Sequence, residues 1–166
     1  ATTAYETART RVAAFLGAPD PATCIFVRNT TEALNLVAYS WGRSVVQPGD
    51  LLVTTLLDHH ANLVPWQVLA EEKGADLAYV GVTPEGRLDE ASFAALLDRS
   101  PRLVALPHVS NALGTIVDVR RWVQEAKAAG ATVVVDGAQS TPHLAVNLAE
   151  LGADFFACSG HKLLGP

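Results

Sequence analysis

The chain has no methionine, only two cysteines and no long apolar run. Without an initiator methionine, and with Leu163-Leu164-Gly165-Pro166 closing on a loop, the sequence reads as part of a longer protein. No stretch approaches the ~20 apolar residues of a membrane helix, so a membrane-spanning role is not expected. Twelve basic residues face seventeen acidic ones, for a net charge of −5, and no Lys/Arg cluster occurs. That excludes a basic nucleic-acid surface and leaves a small anionic ligand open. Cys24 and Cys158 form no CxxC pair and sit in apolar runs. They read as buried, reduced thiols of a cytoplasmic protein. His59 and His60 are adjacent and do not share a face, and no third ligand is evident, so no metal is expected. No GxGxxG follows the first strand-like run, no GxxxxGKS or GxxxxGKT occurs, and Ser159-Gly160 lacks a nucleophile-elbow pattern. Repeats, low-complexity tracts and linkers are missing too, so residues 1–166 read as one domain.

What is present is an alternation of short β-branched runs with longer amphipathic ones. Apolar Val12, Phe15 and Leu16 predict an opening helix that stops at Gly17. Strands are predicted at Cys24–Val27, Leu51–Thr55, Leu77–Val80, Leu103–Leu106, Thr132–Asp136 and Asp154–Cys158. Between them, helices are predicted from the Asn29-Thr30-Thr31-Glu32 capping box to about Trp41, and over Pro65–Lys73, Ala91–Asp98 and Val119–Ala129. Strands alternating with helices give βαβ units, hence a mostly parallel sheet with helices on both faces, a three-layer α/β/α fold. Right-handed crossovers place every post-strand loop on one edge, where such sheets bind ligands.

The polar residues of those loops share one chemistry. Lys162 leaves a strand in Ser159-Gly160-His161-Lys162, where desolvation would lower its pKa and make its amine a nucleophile toward a carbonyl. Asp136 follows the apolar run Val133-Val134-Val135 and needs a donor or cation; it reads as a structural cap or as the partner of a pyridinium nitrogen. Gln139 can donate to a phenolic oxygen or be a plain loop amide. Thr30 and Thr31 open a helix whose N–H groups suit a phosphate, or which Asn29 and Glu32 simply cap. Glu32 would there sit close to the phosphate, so it is expected to turn aside toward backbone or a basic residue. Ser159 and His161 can add donors. One of the paired histidines can stack on a pyridine ring. Asn111 can approach a cofactor oxygen or serve its turn.

Asn29-Thr30-Thr31-Glu32-Ala33-Leu34-Asn35, Asp58-His59-His60-Ala61-Asn62 with Pro65-Trp66-Gln67, His108-Val109-Ser110-Asn111-Ala112-Leu113-Gly114, Asp136-Gly137-Ala138-Gln139 and Ser159-Gly160-His161-Lys162 occur in this order. Together they resemble the class V aminotransferase group of fold-type-I pyridoxal-phosphate enzymes, and within it the SufS-type (group II) cysteine desulfurases. The resemblance spans essentially the whole chain, which corresponds to part of the large pyridoxal 5'-phosphate-binding domain. It implies that Lys162 forms a Schiff base with the cofactor and shuttles protons, and that His59 stacks on the ring. It implies that Asp136 pairs with the ring nitrogen, Gln139 with the phenolic oxygen, and Asn111 with ring substituents. Thr31, Ser159 and His161 would hold the phosphate, with Thr30 as an added contact. The implied reaction moves sulfur from L-cysteine to an acceptor protein, leaving L-alanine, in a cytoplasmic homodimer serving iron–sulfur cluster assembly. Asp58 departs from the glutamate usual before the paired histidines. The family's nucleophilic cysteine and its carboxylate-binding arginine lie downstream of the lysine, and neither Cys24 nor Cys158 matches that nucleophile. The isolated chain is therefore expected to be inactive. Another class V reaction (aminotransferase, selenocysteine or C–S lyase, epimerase) is the alternative, followed by a cofactor-free structural or binding paralogue.

Overall fold

A computed structural model describes residues 1–165. Twelve regular elements follow one another: α1 (Thr2–Leu16), α2 (Thr30–Val37), α3 (Arg43–Val45), β1 (Leu51–Thr55), α4 (Val64–Lys73), β2 (Asp76–Val80), α5 (Glu90–Leu97), β3 (Leu103–Pro107), α6 (Val119–Ala128), β4 (Thr132–Asp136), α7 (Leu148–Leu151) and β5 (Phe155–Ala157). The five strands form one parallel sheet in the order β2-β1-β3-β4-β5. β1 and β3 are buried along their whole length, as Leu/Val-rich strands covered on both faces must be.

Alternation along the strands sends side chains to two cores. Val53, Val104, Leu106, Val133 and Val135 meet Phe93 of α5 and Trp122 of α6 on one face. Those two rings stack at 4.1 Å. Leu52, Leu103, Ala105 and Val134 meet Leu34 of α2 and Trp66 of α4 on the other. The result is the expected three-layer α/β/α architecture, and its parallel strands all release their loops at one edge.

Local sequence explains most boundaries. α1 ends at Gly17, whose left-handed backbone (φ 66°) returns its N–H to the helix. Asn29 caps α2 through Glu32 N–H, and Asp89 and Asp118 cap α5 and α6 in the same way. α2 continues past the predicted stop at Trp41 through a π-turn, Ala38–Gly42, into α3. Gly42 lets this turn pack closely on α4, where a Cβ would stand 2.6 Å from Leu69 Cδ2.

One predicted strand is absent. Cys24 is extended, but residues 24–27 pair with no strand, so the sheet among the described residues has five strands instead of six. The segment lies against α1 rather than beside a strand. Phe26 meets Tyr5 edge-on at 5.3 Å, and Ile25 is 68% exposed. An extended segment without a neighbour forms no ladder. α7, too short for a periodic signal, was not predicted; Asn147 caps it.

Candidate active site

The carboxyl ends of β1, β3, β4 and β5, together with the start of α2, enclose a cavity of about 240 Å³. It collects Thr30 and Thr31 from α2, His59 from the loop after β1, Asn111 from the loop after β3, Asp136 and Gln139 from the end of β4, and Ser159, His161 and Lys162 from the segment after β5. These are all nine residues singled out in the sequence.

Asp136 forms the buried floor. Its Oδ1 accepts a hydrogen bond from Ala138 N–H at 2.8 Å, the one bond its carboxylate receives among the described residues. Burial pushes its pKa up; the Ala138 N–H, then the electrostatic influence of Lys162 and of the nearby His59 ring, pull it back. A carboxylate so placed has an oxygen left for a ligand's donor or cation. The next residue, Gly137, lies so close to Phe156 that a Cβ would fall 1.9 Å from the ring.

The donors at the start of α2 are partly committed. Thr30 N–H goes to Ser159 Oγ at 3.0 Å, and Glu32 N–H to Asn29 Oδ1 at 2.9 Å, which leaves Thr31 N–H with no protein acceptor among the described residues. Thr30 Oγ1 and Ser159 Oγ are 2.5 Å apart. Two hydroxyls sharing one bond keep one hydrogen for a ligand. Glu32 turns away as expected: its carboxylate accepts from Arg28 N–H and from the Arg28 guanidinium.

His59 precedes the short 3₁₀ turn His60–Asn62, and its Nδ1 accepts from Ala61 N–H at 3.1 Å. Asn111 sits in a turn that Ser110 braces by accepting from Ala112 N–H and Leu113 N–H. Lys162 is exposed, contrary to the expected desolvated amine. The chain leaves β5 through the 3₁₀ turn Gly160–Leu163, which carries Lys162 on the rim instead of at the strand's buried end. Cys24 and Cys158 are half-buried free thiols, not fully buried ones, and burial pushes both pKa values up. Among the described residues no cluster of three or more His, Cys, Asp or Glu could hold a metal ion, and no helix is long and apolar enough to cross a membrane.

Sequence reading missed several walls of the cavity, among them Leu57, Pro107, Val109 and Asn29. The rule that ligands bind at strand ends would have found Leu57 and Pro107. In the sequence Asn29 signals a helix cap and gives no sign of facing a cavity.

A parallel α/β/α sheet with a buried carboxylate, hydroxyl donors and a lysine around a cavity at its carboxyl edge has the form of a small-ligand pocket of the α/β class. The chain belongs to the class-V aminotransferase family, whose profile matches residues 1–166. It is similar to a probable cysteine desulfurase of Mycolicibacterium paratuberculosis, with 51% identity over all of this chain and 24% of that protein. It is 49% identical to a cysteine desulfurase of Pectobacterium atrosepticum over all of this chain and 41% of that one. The crystal structure of the cysteine desulfurase CsdA (S-sulfonic acid) from Escherichia coli superposes with a TM-score of 0.94 at 40% identity, covering 99% of this chain and 41% of the other. The chain therefore spans well under half the length of these relatives. Class-V aminotransferases and cysteine desulfurases are pyridoxal-phosphate-dependent enzymes.

Proposed function

We propose that this chain supplies part of the cofactor-binding domain of a pyridoxal 5'-phosphate-dependent cysteine desulfurase. The observation that carries the reading is the convergence of Asp136, Gln139, His59, Asn111, the Thr30–Ser159 pair, Thr31, His161 and Lys162 on one cavity. The donor set fits the cofactor. A buried carboxylate with a free oxygen suits a protonated ring nitrogen, and a spare hydroxyl hydrogen with the Thr31 N–H suits a phosphate. When bound, the cofactor supplies an electron sink for bonds at the substrate's α carbon.

The remaining work falls to the chain's own residues. Asp136 would keep the ring nitrogen protonated. Gln139 would donate to the phenolic oxygen, Asn111 would bind ring substituents, and His59 would cover the ring face. Thr31, Ser159 and His161, with Thr30, would hold the phosphate. Lys162 Nζ would hold the cofactor's aldehyde carbon, and its amine would carry protons at the substrate's α and γ carbons.

The substrate on this reading is L-cysteine, the product L-alanine, and the sulfur passes to an acceptor protein. Support comes from relatives at about 50% identity that are cysteine desulfurases. The nucleophile that takes the sulfur is neither Cys24 nor Cys158, because both are half-buried with pKa values raised by burial. Free thiols accord with a cytoplasmic location, and the family likeness with a homodimer.

The test is an absorption spectrum of the natural protein with added pyridoxal phosphate. A visible band is expected in the wild type and absent in Lys162→Ala. A wild-type protein that stays colourless at saturating cofactor overturns the reading. Alanine and sulfide release from cysteine then tests the substrate.

A further inference from the structure

Asp58 does not line the cavity, yet its carboxylate is the hub of a hydrogen-bond lattice immediately before His59. The residue as a whole is half-buried, but its carboxylate end is enclosed. Oδ2 accepts from Thr55 N–H at 3.0 Å and from Thr55 Oγ1 at 2.7 Å; Oδ1 accepts from Asn62 Nδ2 at 2.7 Å. Asn62 is fully buried, and its Oδ1 accepts from Nε1 of the fully buried Trp66 at 3.1 Å. The carboxyl group thereby fastens the end of β1 to the first turn of α4. His59 lies between the two fastenings. Its carbonyl accepts from Asn62 N–H at 2.8 Å and its Nδ1 from Ala61 N–H at 3.1 Å. A lone pair used in this way puts the neutral ring's proton on Nε2.

We propose that Asp58 is a positioning residue for His59: through Asn62 and Trp66 it fixes the turn in which Ala61 N–H selects the orientation and tautomer of the imidazole. The proposal rests on the reading of His59 as the group that covers the cofactor ring. Hydrogen counting adds a detail. Thr54 Oγ1 lies 3.1 Å from Asp58 Oδ2 and 3.2 Å from the Asn62 carbonyl, with one hydrogen for two acceptors. A proton on Oδ2 completes the lattice: Asp58 donates to Thr54 Oγ1, which donates to Asn62. Enclosure favours that form, and burial pushes the Asp58 pKa up to about 7 against the hydrogen bonds from Thr55, Asn62 and Thr54. The groups that meet the carboxyl from β1 and from the 3₁₀ turn are Thr54, Thr55 and Asn62, and none of them titrates near neutrality.

The test is nitrogen NMR of histidine rings in the natural protein without cofactor, with the His59 signals assigned through His59→Gln. Wild type is expected to show two well-separated ring nitrogens for neutral His59. In Asp58→Ala they converge as the tautomers average, while Asp58→Asn, which keeps the outline and an acceptor for Asn62, retains the separation. An unchanged separation in an Asp58→Ala protein with native circular dichroism overturns the proposal. If that variant does not fold, Trp66→Phe breaks only the outer bond to Asn62 and is read the same way: convergence supports the proposal and an unchanged separation overturns it. Because the measurement needs no cofactor, a wild type that binds none defeats the proposed function and leaves this test intact.

Discussion

Asp136 bears the largest electrostatic obligation in the site. Its burial disfavours charge, one backbone N–H supports it, and Lys162 and His59 contribute from a distance. A protonated ring nitrogen would complete the balance. Asp136→Asn is expected to lower alanine formation from cysteine by roughly 10²–10³-fold, the scale of losing one preorganised electrostatic partner. Activity within a few-fold of wild type, with a native fold, would remove Asp136 from the chemistry. Asp58 makes a different prediction. Its folded-state pKa of about 7 lies above the ordinary 3.8, so the folded protein holds that proton more tightly than the unfolded chain. The stability it contributes is complete below about pH 4, declines as pH rises to about 7, and is flat above. The loss is on the order of a few kcal/mol. Denaturant unfolding across that window should show a steeper decline for wild type than for Asp58→Asn; equal slopes would contradict the enclosure. The chemistry of Asp136 was legible in the sequence because three valines directly precede it. The enclosure of Asp58 was not, since the threonines, Asn62 and Trp66 that surround it are ordinary residues until the chain folds.

At the scale of elements, the seam between α2 and the segment after β5 is held by Thr30 and Ser159. Ser159→Ala leaves the Thr30 N–H without its partner, at a cost of about 1–3 kcal/mol, and on the proposed reading removes a phosphate donor. Thermal unfolding with and without pyridoxal phosphate should show a lower midpoint and a smaller cofactor-induced rise than wild type. A second seam joins β4 to β5, where Gly137 N–H donates to the Ala157 carbonyl and the Phe156 ring fills the space a side chain would need. Gly137→Ala forces one of these apart. Overpacking of this kind costs about 1–3 kcal/mol, and because Asp136 is adjacent, cofactor affinity should fall with it. A variant as stable and as cofactor-tight as wild type would show that Phe156 can yield. Most elements were legible from capping residues and β-branched runs, as at Asn29, Asp89 and Thr132–Asp136. Cys24–Val27 was not, because strand-forming residues fix a backbone conformation while a strand requires a neighbour that local sequence does not name.

For the molecule as a whole, one layered fold brings the carboxyl ends of four neighbouring strands, and the loops that follow them, to a single cavity. A ligand bound there only in the folded state stabilises it by mass action, by about 2.7 kcal/mol at a hundred times its dissociation constant. Pyridoxal phosphate should therefore raise the unfolding midpoint in a concentration-dependent way, and Lys162→Ala should reduce that rise. No shift at any concentration would argue against the site. The sequence by itself determined the fold class, through alternating β-branched and amphipathic runs, and the chemical kinds of residue at each strand end, because both are local properties. Only the tertiary structure decided that Lys162 stands on an exposed rim, that Ser159 consumes one of the helix-start donors, that residues 24–27 find no partner strand, and that the Asp58 carboxyl is enclosed by Thr54, Thr55 and Asn62. Each of these depends on which distant segment arrives alongside, and that is set by long-range packing of the two cores against the sheet.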